Sequence, residues 1–214
     1  MTLDGAARWP EFHEYALSRL PSRPARVLEV GCGEEGGIAP VLADTGYDVL
    51  AIDPLAPEGP LFRRTTLEEL DDPGPFDAVV AGRVLHHVTP LGPALDKLVS
   101  LAPLLVLDEF AHDLIDDVAR HWYEEEYRRV SASGAPPHAP SDLRQWHAEH
   151  SGLHPHDVLL SALEARYETR DLRFGPYFYR WLRDPGMQAR EERMLEEGLL
   201  TAIGYRYTGV ARPG

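Results

Sequence analysis

The chain has 214 residues, 43% of them hydrophobic, enough for a full buried core and a better fit to one domain carrying an insertion than to two domains. Its 35 acids against 21 bases leave a formal charge of −14. The densest basic groupings, Arg63-Arg64 and Arg128-Arg129, are short and flanked by acids, so nucleic acid and anionic membranes are poor candidate partners and a small molecule is a better one.

The N-terminus has no basic run followed by an apolar run, and no uncharged apolar stretch approaches bilayer length, so a cytoplasmic protein is expected. Cys32 is the only cysteine, which excludes an internal disulfide and a zinc site built from several thiolates. Lys97 is the only lysine; it lies in the helical pattern ALDKLVS and reads as a solvated surface residue. Enrichment in Ala, Arg, Gly and Pro with almost no Lys points to a GC-rich bacterial gene.

Along the chain, Trp9, Phe12, Tyr15, Ala16 and Leu20 have helical spacing and predict an amphipathic N-terminal helix within residues 3–20, closed by Pro21 and Pro24. ARVLEVG then reads as a buried strand, GGIAPVLADTG as a helix ending at Gly46, and YDVLAIDP as a strand ending in an acid. TTLEEL reads as a helical turn and FDAVVAGRVLHHV as a strand running into a loop. PALDKLVSLA follows as a helix and PLLVLDEF as another strand. Such alternation makes a parallel sheet covered by helices on both faces, with ligands bound at the strand ends where the strand order reverses. From residue 110 the pattern turns helical, with an apolar stripe from Phe110 to Val130, a break at SGAPPHAPS, and helix starts at Ser141 and Pro155. Residues 110–165 read as a helical cover over the strand ends. RYETRDLRF predicts a strand, PYFYRWL a short helix, QAREERMLEEGLL a charged, solvated helix, and TAIGYRYTGVAR a final strand that closes the sheet at its edge.

Gly31, Gly33 and Gly36 match the G-x-G-x-x-G dinucleotide fingerprint, with Asp53 at a suitable distance for a ribose hydroxyl. A pyrophosphate on the following helix would, however, meet Glu29, Glu34 and Glu35. A cofactor with a cationic head and no phosphate tolerates those acids. Here LEVGCG, AIDP, TLEEL and FDAVVAGRVLHHV together resemble the class I S-adenosylmethionine-dependent methyltransferase family, in order and spacing over residues 25–110.

That resemblance implies an α/β fold, doubly wound around a mostly parallel seven-stranded sheet, with residues 1–24 covering the site and residues 25–214 forming the Rossmann-like domain. It also implies that the cofactor is S-adenosylmethionine, released as S-adenosylhomocysteine, and that the acceptor is a small organic molecule. Glu29, Gly31, Cys32 and Gly33 would line the methionine end, and Asp53, followed by Pro54, would accept both ribose hydroxyls. Thr66 and Leu67 would meet the adenine, and Gly82, Arg83, Val84 and His87 would lie beneath the cofactor. The sequence departs from the family where Glu35 replaces the usual third glycine, as if the loop were one residue longer, and where SLAPLLVLDEF lacks the proline-glycine-glycine turn.

Methyl transfer is an in-line displacement that needs a base only when the acceptor must lose a proton. His86, His87, Asp108 and His112 are the catalytic candidates, His112 lying one helical turn beyond Asp108. Trp9, Trp122, Tyr123, Trp146, Tyr177 and Tyr179 are candidates for an acceptor-binding wall. His147, His150, His154 and His156 invite a metal reading, but no recognised ligand pattern is present and no metal is assigned. The competing readings are a protein that binds the same cofactor for another reaction or for structure, and a nicotinamide-dependent oxidoreductase.

Overall fold

The structure, a computed structural model, describes residues 8–71, 74–134 and 139–213. The described residues fall into two compact units. Those within 11–109, 154–173 and 206–214 form a sheet unit, and those within 1–10, 110–153 and 174–205 form a mainly helical one. The strands run β1 (Arg26–Val30), β2 (Asp48–Ile52), β3 (Phe62–Arg63), β4 (Ala78–Gly82), β5 (Leu104–Phe110), β6 (Tyr167–Gly175) and β7 (Gly204–Ala211). They form one sheet in the order β3-β2-β1-β4-β5-β7-β6. The first five pair in parallel, with Val27 opposite Val49 on one side and Ala78 on the other.

β1, β4 and β5 are buried almost throughout because helices cover both faces, as expected for unbroken runs such as VVA and LLVL. β7 runs antiparallel to β5: Ala211 N–H donates to Pro103 O, and Ala111 N–H donates to Ile203 O. The final strand is therefore not at the edge, as its terminal position suggested. It inserts between β5 and β6, and β6 takes the edge with most of its residues exposed. Burial of Tyr205, Arg206, Tyr207 and Thr208 gives the physical reason, since an edge strand would leave one side of that run in water. β3 is two residues long, too short for alternation to mark it in the sequence.

In the sheet unit, α1 (Phe12–Leu17) is shorter than its periodicity suggested. It starts in a capping box between Glu11 and Glu14, directly after Pro10, and residues 1–7 lie outside the described chain. Its Phe12, Tyr15 and Ala16 pack with Val27, Leu42, Val49, Val80 and Val106 in the core. α2 (Ala39–Asp44) follows the glycine loop. α3 (Leu91–Leu101) buries Leu91, Ala94, Leu95, Leu98 and Leu101, one continuous stripe, and packs against α6 (His156–Glu164).

The helical unit contains α4 (Asp117–Ala132), α5 (Leu143–Glu149), α7 (Phe178–Leu182) and α8 (Met187–Glu196). Asp116 caps α4 through Ala119 N–H, and Asp142 caps α5 through Arg144 and Gln145 N–H. Aromatic rings dominate the core of this unit. Phe110 stacks on Tyr177 at 4.0 Å, and Tyr123 lies 4.9 Å from Phe178. The charged helix α8 is not solvated all round: Glu191 is buried, and its carboxylate accepts the N–H groups of Tyr177, Phe178 and Tyr179. Those three donors open α7 and have no intrahelical acceptor, so a buried acid satisfies them. Among the described residues no helix is long and apolar enough to cross a membrane.

Candidate active site

The strand order leaves β1 towards β2 on one side and towards β4 on the other, so the sheet reverses between β1 and β4. At their carboxyl ends the sheet unit opens a cleft of about 280 Å³. Gly31 forms its floor just after β1. Its φ is +81°, its N–H donates to Ile52 O, and a Cβ there would lie 2.7 Å from Val84 Cβ, so only glycine fits. Asp53 follows β2, and its Oδ1 accepts Leu55 N–H at 2.7 Å, which holds the carboxylate beside Pro54 in the cleft. Thr65, Thr66, Leu67 and Glu68 form one side, and Val84, His87, Val88 and Thr89 the other.

The glycine loop is shaped by Glu29. This buried side chain points to the start of α2, where its oxygens accept Ile38 N–H at 2.9 and 3.2 Å. Burial pushes its carboxyl up to about 7, against the opposing pull of the Ile38 and Ala39 N–H groups and of the Arg83 charge. A Cβ on Gly37 would collide with this carboxylate, and the loop has positive φ at both Gly36 and Gly37, the two glycines that follow Glu35. Cys32 is also buried. Its thiol is pushed up to about 12, first by burial and then by Glu29 and Asp53, and is no nucleophile.

A family model described as a methyltransferase domain matches residues 4–172. The chain belongs to the methyltransferase domain family. An O-methyltransferase of ubiquinone biosynthesis from Xylella fastidiosa (strain 9a5c) is 30% identical over 168 residues, 68% of this chain and 67% of that protein. A crystal structure of an S-adenosylmethionine-dependent methyltransferase from Mesorhizobium loti has the same fold, with a TM-score of 0.57 and 17% identity over 94% of this chain and 98% of that one. The 1,6-didemethyltoxoflavin N1-methyltransferase of Burkholderia thailandensis, solved with S-adenosylhomocysteine, gives a TM-score of 0.53 at 19% identity, covering 94% of this chain and 75% of that one. The protein is thus a methyltransferase with the fold of the S-adenosylmethionine-dependent class.

Within this methyltransferase, Gly31, Asp53, Pro54, Thr66, Leu67, Val84 and His87 border the one cleft, joined by Val30, Ile52, Thr65, Glu68, Val88 and Thr89, which the sequence reading did not single out. Val30, Ile52, Glu68 and Val88 fall inside the motifs LEVGCG, AIDP, TLEEL and FDAVVAGRVLHHV, and Thr65 and Thr89 lie directly beside two of them. Glu29, Cys32, Gly33, Gly82 and Arg83 stand close by in sequence but do not line it. Gly82 makes room for Phe12, whose ring a Cβ would approach to 3.2 Å.

Of the predicted catalytic residues, only His87 lines the cleft. His86 is buried, with Nδ1 2.6 Å from Glu109 Oε2. Asp108 is buried too, its carboxylate shared by Arg83 at 3.3 Å and Arg206 at 3.0 Å. His112 belongs to the helical unit, where its ring lies 5.7 Å from that of His147 and 6.5 Å from that of Trp146.

The aromatic candidates all lie in the helical unit. Trp122, Tyr123 and Tyr177 are packed into its core, Tyr123 with its hydroxyl donating to Pro140 O, and Tyr179 N–H is held by Glu191. Trp9 packs its ring against Gly175, and Trp146 borders a cavity of about 560 Å³ together with Trp181 and Gln145. In the histidine-rich stretch, His150 Nδ1 is 2.7 Å from Trp146 O and His154 Nε2 is 2.8 Å from Val88 O, so these ring nitrogens meet carbonyls. Lys97 is not simply solvated: its Nζ donates to Glu68 O and Leu70 O, both at 2.8 Å, and pins the turn that forms one side of the cleft.

Proposed function

We propose that the cleft holds S-adenosylmethionine and that the protein transfers the cofactor's methyl group to a small organic molecule. In this reading Asp53 accepts the ribose hydroxyls, Thr66 and Leu67 border the adenine, and Gly31 and Val84 flank the methionine end. The observation that carries it is the convergence of Gly31, Asp53, Thr66 and His87, which lie far apart in the chain, on one cleft at the sheet's reversal. The sulfonium supplies an activated methyl, and the chain's contribution is to hold the acceptor atom in line behind it. His87 is assigned as the proton acceptor when the acceptor atom must be deprotonated, because it alone among the predicted bases borders the cleft. The acidic surface supports an uncharged or cationic small acceptor over nucleic acid, and a cytoplasmic setting agrees with the lone buried cysteine.

A labelled-methyl assay against a bacterial metabolite extract tests this reading. The expected outcome is one or a few labelled small molecules, and His87→Ala lowers the rate of their formation by about 100-fold when deprotonation is required. Normal cofactor binding without any labelled product would favour a protein that uses the cofactor for another end.

A further inference from the structure

The far wall of the cleft is the short stretch from Val84 to Thr89, a single 3₁₀ turn at Leu85–His87 with too few internal bonds to hold its own shape. Two side chains grip it. Glu109, 1% exposed at the end of β5, accepts Val84 N–H at 3.1 Å and Leu85 N–H at 2.7 Å on Oε1, and meets His86 Nδ1 at 2.6 Å on Oε2. His154 takes hold of the turn's carbonyls: its backbone N–H donates to His86 O at 2.9 Å, and its Nε2 lies 2.8 Å from Val88 O, which can only accept. One group thus satisfies the donors of the turn and the other its acceptors. His154 is also the residue at which the chain re-enters the sheet unit after the helical segment.

We propose that Glu109 and His154 are positioning residues of the cofactor pocket, fixing the Val84–Val88 wall against the bound cofactor; this rests on the cleft being the S-adenosylmethionine site. Neither lines the cleft, so their effect passes through Val84, His87 and Val88. The Nε2 bond gives His154 a reason to be histidine in a stretch whose composition suggested a metal. A glutamine amide reaches the same carbonyl, whereas alanine keeps the backbone bond and removes only the side-chain one.

The test is calorimetry with S-adenosylhomocysteine, combined with amide hydrogen exchange of residues 84–89, on His154→Ala, His154→Gln, Glu109→Gln and the unaltered protein. His154→Ala is expected to weaken binding about threefold to tenfold, the range that one lost hydrogen bond gives, and to speed exchange of that stretch. His154→Gln restores both to within about twofold of the unaltered protein. Glu109→Gln keeps an acceptor for the two N–H groups but loses the carboxylate opposite His86, and weakens binding to a similar extent. A merely structural role lowers the melting temperature and leaves affinity and local exchange unchanged, and that result in both His154→Ala and Glu109→Gln overturns the proposal. Failure of the unaltered protein to bind S-adenosylhomocysteine overturns the cofactor reading instead. Exchange of residues 84–89 then still decides whether the two side chains hold the wall.

Discussion

Three buried glutamates do the same kind of work at different places: Glu29 holds the start of α2, Glu109 the turn after β4, and Glu191 the start of α7. Each accepts backbone N–H groups that no helix or sheet bond satisfies. Burial lifts the Glu29 and Glu191 carboxyls from 4.5 to about 7, despite those N–H groups. Between these two pH values the folded chain retains protons that the unfolded chain has released. The stability contributed by these groups is therefore present below the unfolded value and falls as pH rises from about 4.5 through about 7, levelling above it. Urea unfolding across pH 4.5–8 should show this decline, reduced in Glu29→Gln and further in Glu29→Gln with Glu191→Gln; an undiminished slope in the double variant contradicts it. The sequence marked Glu29 because it sits before the glycines, and in the structure its carboxylate accepts Ile38 N–H at the start of α2. Glu191 was hidden among neighbouring charges, since a charge that will be buried looks the same in one dimension as a solvated one.

At the scale of elements, Asp108 ties three strands together. It lies within β5, meets Arg83 after β4, and holds Arg206 of β7, whose side chain is 1% exposed and lies over the Tyr15 ring of α1. Asp108→Asn would remove the carboxylate charge that lies 3.0 Å from the buried Arg206 guanidinium, at an expected cost of about 3–5 kcal/mol in denaturant unfolding. Replacing both residues by apolar ones of like size should recover most of that loss, and full destabilisation in the double variant would show the ion pair to be incidental. The parallel strands β1, β2, β4 and β5 were legible as apolar runs bounded by turn residues, because burial within the sheet leaves that signature. β7 was legible as a strand but not in its place. The pairing of Ala211 with Pro103 is a long-range choice that no local pattern records. The N-terminal helix was overlong in the reading for a related reason: Trp9 continues the helical spacing of Phe12 and Tyr15 yet packs on Gly175 before Pro10 and the cap at Glu11.

At the scale of the whole chain, alternating strand and helix through β5 marked the architecture and the motifs at the strand ends marked the family, and the cleft gathers motif residues from segments that the alternation separates. The acceptor side was less legible. Aromatic spacing is the same for a core and for a pocket wall, and Trp122, Tyr123 and Tyr177 are packed in a core. The proposed S-adenosylmethionine site places Asp53 on the ribose. Calorimetry with S-adenosylhomocysteine and NAD, on the unaltered protein and on Asp53→Ala, tests it most directly. Binding of S-adenosylhomocysteine and not of NAD is expected, weakened about tenfold or more in Asp53→Ala by loss of charge-assisted hydrogen bonds. Binding of NAD without response to S-adenosylhomocysteine, or equal affinity in Asp53→Ala, would contradict it.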